Sequence, residues 1–143
     1  MPPKRQLLND TFYGLYVQVS TIPNAGKGLF ARKFIPAGSL IGKYRGDYLA
    51  KDITYEQYAS GKREHIKKRE WRDYFVHTMH DQLLDGRRMD NHMRWINDPR
   101  NEHRYNATMT QGKARRILVR ATRDIQPGEE IFMCYGEHYW SKK

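Results

Sequence analysis

The apolar residues of this chain come in short runs, and a glycine or a proline interrupts the sequence within a few residues of most runs. Both residue types break regular secondary structure, so the runs favour short strands joined by turns over long helices. Most runs are also rich in the β-branched and aromatic residues typical of strands. We predict strands at residues 15–19, 29–31, 40–44, 74–76, 82–84, 117–119 and 131–133.

The first of these segments alternates Leu15, Val17 and Val19 with other residues, which is the period of a strand with one buried face. By contrast, residues 54–72 form the one convincing helical region, with Thr54 as the predicted N-cap. Many short strands and one helical insert predict a mostly β fold (β+α) built from several small curved sheets.

The chain has 143 residues, which is enough for one modest hydrophobic core. We therefore predict an N-terminal arm over residues 1–14, a single domain over residues 15–140 and a tail over residues 141–143. No apolar run is long enough to cross a bilayer, and the N-terminus lacks a signal-peptide pattern. We expect an intracellular protein that does not contact membranes.

The charge is strongly basic, with 26 Lys and Arg against 16 Asp and Glu and a formal net charge of +10. One basic run begins at Gly61 and ends at Arg72, and another begins at Lys113 and ends at Arg123. A single run of this kind is usually a solvated face. Together the two runs keep contact with DNA or a nucleosome open, because a positive field attracts polyanions.

Sulfur and imidazole chemistry is sparse. The only cysteine, Cys134, excludes an internal disulfide and a cysteine-based zinc cluster, and we expect it to be a small buried core residue. His77 and His80 would face opposite sides of a strand, so we predict that the protein binds no metal.

Two segments could carry chemistry. In AGKGLFA, residues 25–31, two glycines flank Lys27 and would let the backbone approach a ligand closely, although for this segment alone a plain hairpin turn is the better explanation. In GEEIFMCYGEHYW, residues 128–140, Tyr135 stands at the exit of a predicted strand before Gly136. Its hydroxyl could point into a cleft, or its ring could close a small core.

These segments, with MRWIN at residues 93–97 between them, occur in an order that resembles the SET-domain family of protein lysine methyltransferases. The resemblance runs from about Leu15 to Trp140 and includes IPAGSLIGKYRGDYL at residues 35–49. The loop around Asn97 is similar to the PR-type branch, whereas YGEHYW is similar to compact stand-alone members such as those of large DNA viruses. The resemblance implies a SET fold whose small sheets surround a C-terminal pseudoknot, with the chain near Asn97 threaded through a C-terminal loop.

The resemblance also implies a function, which is methyl transfer from S-adenosyl-L-methionine to a lysine of a basic protein, most plainly a histone tail in the nucleus (the host nucleus for a viral protein). Tyr135 would be the catalytic residue. The walls of the substrate channel would be Tyr44, Tyr74, Met133 and Tyr139. The methyl donor would be bound by Ala25, Gly26, Lys27, Gly28, Arg94, Asn97, Asp98, Tyr135 and Trp140.

Asp98 occupies a position where the usual signature of the family has a histidine. It would add negative charge near the donor, so a second interpretation stays open. In that interpretation the chain is a catalytically weak SET-like or PR-like module that binds chromatin or nucleic acid through its basic faces.

Overall fold

A computed structural model describes residues 6–7, 13–44, 47–48, 75–77, 83–85, 92–112 and 116–136, with backbone alone for the four short segments outside 13–44, 92–112 and 116–136. Several predictions fall outside the described residues: the helix at 54–72, the first basic run, the start of the second basic run at residues 113–115, and the side chains of His80, Tyr74, Tyr139 and Trp140. Among the described residues, no helix has both the length and the apolar character needed to span a membrane.

The described residues form nine strands in three antiparallel three-stranded sheets, which confirms the mostly β prediction. The first sheet has the order β1-β2-β3, the second β4-β9-β8 and the third β5-β7-β6. The strands are β1 Gln6–Leu7, β2 Tyr16–Val19, β3 Lys27–Phe30, β4 Leu40–Tyr44, β5 Asp47–Tyr48, β6 Phe75–His77, β7 Leu83–Asp85, β8 Ala107–Gln111 and β9 Ile117–Ala121.

The sequence did not predict β8, because its run Ala-Thr-Met-Thr-Gln is mostly polar. The strand is specified by its partner, since each of its five residues pairs in register with β9, from Ala107 opposite Ala121 to Gln111 opposite Ile117. Two short 3-10 helices, His92–Trp95 and Glu102–Arg104, lie in the loop that precedes β8 and were likewise not predicted.

The prediction of a strand at residues 131–133 is wrong. The segment makes isolated bridges to two different partners, Glu130 with Phe30 and Phe132 with Asn97. Because each partner offers one bridge, no continuous ladder forms. Ile131, Phe132 and Met133 are all buried, so the segment lies inside the protein and has no solvent face.

The core contains the strand residues and the loops between them, including Leu15, Leu29, Ile96, Val119 and Ile131, all of which are 1% exposed or less. Two burial predictions are wrong. Val19 is 60% exposed, because β2 leaves the core at its end, whereas its neighbour Tyr16 is buried and stacks on Phe30 at 5.4 Å between ring centroids. Cys134 is exposed, because the chain emerges from the interior directly after Met133.

Candidate active site

The loop between β2 and β3, residues 20–26, is held by one buried carboxylate. Glu130 is 5% exposed, and its Oε2 accepts a hydrogen bond from the Ser20 hydroxyl at 2.7 Å. Its Oε1 accepts from the Thr21 N–H at 2.8 Å and from the Thr21 hydroxyl at 2.7 Å. Bonds to an ionised acceptor are among the stronger ones in proteins, so Glu130 fixes this loop against the C-terminal segment.

Gly26, in this loop, and Gly28, in β3, have different physical roles. A Cβ atom at Gly28 would lie 2.3 Å from the Glu130 carboxylate, so only glycine fits against the buried acid. Gly26 has a φ of +75° and nothing within 4 Å of its Cβ position, so the backbone turns there and remains open to solvent. Glu130 thus anchors the inner side of the loop. The outer side presents the backbone of Ala25, Gly26 and Lys27.

The 3-10 helix His92–Trp95 places the Arg94 guanidinium and the Trp95 ring beside this loop. The Trp95 ring lies 4.5 Å from the Arg94 guanidinium carbon and 5.4 Å from the Lys27 ammonium, measured to the ring centroid. Both distances are within the range of cation–π attraction. The predicted donor-binding residues Lys27 and Arg94 are thus brought together across one aromatic ring, although they are far apart in sequence.

Asn97 joins the loop to the C-terminal segment. Its side-chain amide donates to the Lys27 carbonyl at 2.9 Å and to Glu130 Oε2 at 3.4 Å. Its own carbonyl accepts the Met133 N–H at 3.1 Å. Asn97 therefore contacts both β3, directly after the loop of residues 20–26, and the C-terminal segment.

Tyr135 lies beside the same segment. Its hydroxyl donates to the Ile96 carbonyl at 2.5 Å, and its N–H donates to Asp98 Oδ2 at 2.9 Å. The ring is half-buried and packs on the edge of the core. The structure thus brings Tyr135 next to Asn97, the juxtaposition that the resemblance implies.

The remaining predicted residues divide into two groups. Tyr44 and Met133 are buried members of the core cluster, 6% and 4% exposed, and Tyr135 packs against that cluster. Tyr74, Tyr139 and Trp140 lie outside the described residues. Among the residues that the structure does describe, no group of three or more His, Cys, Asp or Glu side chains could hold a metal ion.

Two residues that the sequence interpretation missed organise the site. Glu130 is one, and Asn106 is the other: it is 1% exposed, its amide donates to the Glu130 carbonyl at 2.9 Å, and its oxygen accepts the Phe132 N–H at 2.8 Å. Neither residue stands out in the sequence, because Glu130 follows the similar Glu129 and Asn106 lies in a loop rich in polar residues.

The chain is similar in sequence to one protein family and to curated relatives. The family model of the SET domain matches residues 26–136. The histone-lysine N-methyltransferase set-17 of Caenorhabditis elegans is 33% identical over 127 residues, which cover 86% of this chain and 41% of that protein. The histone-lysine N-methyltransferase MEDEA of Arabidopsis thaliana is 32% identical over 105 residues, 70% of this chain and 15% of that protein.

Among solved structures, a crystal structure of the Chaetomium thermophilum polycomb repressive complex 2 is similar with a TM-score of 0.67 and 25% identity, over 87% of this chain and 15% of that chain. This chain spans less than half of the length of both curated relatives. The similarity therefore concerns one domain of larger proteins.

Proposed function

We infer that this chain, because it belongs to the SET-domain family, transfers a methyl group from S-adenosylmethionine to a lysine side chain. The proposed substrate is a basic protein, and specifically a histone tail, because both curated relatives carry the name histone-lysine N-methyltransferase. The nucleus is the proposed place of action, since histone tails are found there.

The observation that carries this proposal is the convergence on Asn97. The Asn97 side-chain amide donates to the Lys27 carbonyl, directly after the loop of residues 20–26. The Asn97 backbone carbonyl accepts the N–H of Met133 in the C-terminal segment. The Tyr135 hydroxyl donates to the carbonyl of Ile96, the residue before Asn97. A small donor and a lysine amine could therefore meet where three distant parts of the chain come together.

The residues around the loop fit the donor chemically. We assign the backbone of Ala25 to Gly28 to the donor, because Gly26 is exposed and has no side chain to block approach. Lys27 and Arg94 would suit the carboxylate of the donor's amino-acid end. We assign the adenine end to Trp140. When bound, S-adenosylmethionine supplies a methyl group that its sulfonium already activates.

The protein's own part is to hold a neutral lysine amine in line with that methyl group. Free lysine has a pKa of about 10.4, so it is almost wholly protonated at neutral pH. Apolar walls disfavour the ammonium form, and we assign Tyr44 and Met133 to such walls together with Tyr74 and Tyr139. The Tyr135 hydroxyl would orient the amine. Positioning of this kind can contribute roughly 7–11 kcal/mol to lowering the barrier.

Calorimetry with S-adenosylmethionine tests this proposal directly. We expect saturable binding to one site per chain. Adenosine, which lacks the amino-acid end, should bind at least about tenfold more weakly because it has no carboxylate for Lys27 and Arg94. If the protein gives no saturable heat with S-adenosylmethionine, the assignment of the donor site is wrong.

A second candidate function is binding of nucleic acid or nucleosomes, and the exposed arginines favour it. Arg123 donates at 3.4 Å to the carbonyls of His103 and Arg104, and the Arg104 guanidinium lies 4.7 Å from the Phe132 ring centroid. With Arg100, which is also exposed, these residues place three cations on neighbouring loops. The net charge of +10 would also attract a polyanion such as DNA.

The salt dependence of DNA affinity tests this candidate. If about four phosphates are neutralised, the affinity for a short duplex should fall about a hundredfold between 50 and 200 mM salt, because bound counterions are released. Arg104→Ala should reduce the steepness of that dependence by about one contact. Binding that ignores the salt concentration would exclude the electrostatic interpretation.

A further inference from the structure

The contact between residues 96–98 and residues 131–135 begins as a parallel ladder. Asn97 and Phe132 form a parallel bridge, and the Met133 N–H donates to the Asn97 carbonyl at 3.1 Å. In a parallel ladder the bonding positions recur every second residue. The next pair in this register is residue 99 with residue 134, and its two bonds would join the residue 99 N–H to the Met133 carbonyl and the Tyr135 N–H to the residue 99 carbonyl.

Residue 99 is a proline, and this ends the ladder. Pro99 has no N–H, so it cannot donate to the opposite segment, and a proline rarely continues a paired strand. The bond to the Met133 carbonyl is therefore lost and the ladder stops after Asn97, although Pro99 keeps its own carbonyl. The half-buried Tyr135 N–H still needs an acceptor, and a side chain supplies it where the ladder ends.

The Asp98 side chain is that acceptor. Its Oδ2 accepts the Tyr135 N–H at 2.9 Å, while the Tyr135 hydroxyl donates to the Ile96 carbonyl at 2.5 Å. The N–H and the hydroxyl of Tyr135 are thus both bound to one three-residue segment. The ring of Tyr135 lies between these two groups. It has little freedom to rotate away, because both groups are bound to the same segment.

The carboxylate is itself fixed by other donors. Asp98 is 7% exposed, and its Oδ1 accepts the Arg100 N–H at 2.7 Å and the Tyr105 hydroxyl at 2.6 Å. The bond to Arg100 closes a turn of the kind that aspartate favours. Burial, followed by the hydrogen bond to Asp98, raises the pKa of the Tyr105 hydroxyl above its ordinary value, so the phenol stays a donor at neutral pH.

We propose that Asp98 is a positioning residue, whose carboxylate holds Tyr135 in place where Pro99 has ended the backbone ladder. The contacts of the carboxylate favour this role over direct contact with the methyl donor, because its hydrogen bonds go to Tyr135, Arg100 and Tyr105. The effect on turnover rests on the proposed methyl transfer. The effect on the position of Tyr135 does not.

The first test is Asp98→Asn. An amide has one oxygen and one NH₂ group, so three donors that converge on two oxygens cannot all be satisfied, and one N–H or O–H group must face another donor. We expect kcat to fall about ten- to a hundredfold, while the KM for S-adenosylmethionine changes less than about threefold. The matched control is Glu102→Gln, which alters an exposed carboxylate in the same loop and should change neither constant.

The second test does not need activity. Amide hydrogen exchange followed by NMR should show the Tyr135 N–H protected in the wild-type protein and exchanging at least about tenfold faster in Asp98→Asn. The Val119 N–H, in the middle of β9, serves as the reference for global opening and should exchange at an unchanged rate. Tyr105→Phe removes one donor to the carboxylate and keeps its charge, so a smaller increase at Tyr135 is expected.

The outcomes separate the two proposals. Wild-type protein that is inactive but shows the predicted exchange pattern would overturn the proposed function and support the role of Asp98. Active protein in which Asp98→Asn leaves both kcat and Tyr135 exchange unchanged would overturn the role of Asp98. If Asp98→Asn does not fold, Tyr105→Phe decides: faster exchange at Tyr135 supports the proposal, and unaltered exchange overturns it.

Discussion

Tyr135→Phe should lower the rate of methyl transfer by about a hundred- to a thousandfold, which is the usual effect of removing one well-placed polar group from an active site. The substitution removes one oxygen and keeps the ring, and the ring is what packs against the core. We therefore expect the fold to survive and the affinity for S-adenosylmethionine to change only a few-fold. Turnover of a histone peptide with labelled donor is the measurement.

A matched control for this prediction is Tyr16→Phe. Tyr16 is buried and stacks on Phe30, so the change removes the same chemical group from a tyrosine whose ring has a packing role. We expect its turnover per folded molecule to equal that of the wild-type protein. Equal turnover for Tyr135→Phe would contradict the catalytic role assigned to Tyr135.

Glu130→Ala should have the largest effect on stability. It removes the acceptor of four hydrogen bonds, from the Ser20 hydroxyl, the Thr21 N–H, the Thr21 hydroxyl and the Asn97 amide, and it leaves a void in a buried position. Unsatisfied buried donors cost about 1–3 kcal/mol each, although the hydroxyls can turn toward other acceptors. We expect the free energy of unfolding to fall by about 2–4 kcal/mol, a large part of the roughly 5–15 kcal/mol that holds a domain folded.

The neighbouring Glu129 offers a close control. Its side chain accepts a bond from the Gln126 N–H at 3.2 Å in an exposed turn, so Glu129→Ala should cost less than about 1 kcal/mol. Urea denaturation of both variants measures the difference. The Glu130 variant should also bind S-adenosylmethionine more weakly, since the loop of residues 20–26 loses its anchor. Equal stability of the two variants would mean that the buried carboxylate does not hold the loop.

The two predictions concern contacts of one short segment. The Tyr135 hydroxyl bonds to the Ile96 carbonyl, and the side-chain amide of the next residue, Asn97, donates to Glu130 and to the Lys27 carbonyl. A displacement of this segment should therefore disturb both the loop of residues 20–26 and Tyr135. In the proposed function, donor binding and amine positioning would then change together.

Several elements were predictable because their signal is local. The strand Leu40–Tyr44 was predicted with its observed ends, since the run is apolar and follows the turn at Gly38, where the backbone has a φ of +84°. The turn at Gly26, where φ is +75°, was likewise predicted from the spacing of the glycines. Such features depend on a few adjacent residues, so the sequence contains them directly.

Other features depend on partners that are remote in sequence. Residues 131–133 have the composition of a strand but meet two different neighbours, and Val19 continues an apolar alternation but extends past the core. Cys134 is small and apolar enough for an interior, yet the chain has already left the interior there. Local composition describes what a residue tolerates, whereas burial depends on what arrives next to it.

By itself the sequence predicted the small sheets and the segments that could carry chemistry, and its resemblance to the SET family implied that Tyr135 and Asn97 lie close together. Only the tertiary structure decided which of two adjacent glutamates is buried, and that Asp98 binds the backbone of Tyr135. The reason is physical. A carboxylate has the same chemistry at every position, and its role follows from the donors that the fold brings within about 3 Å of its oxygens.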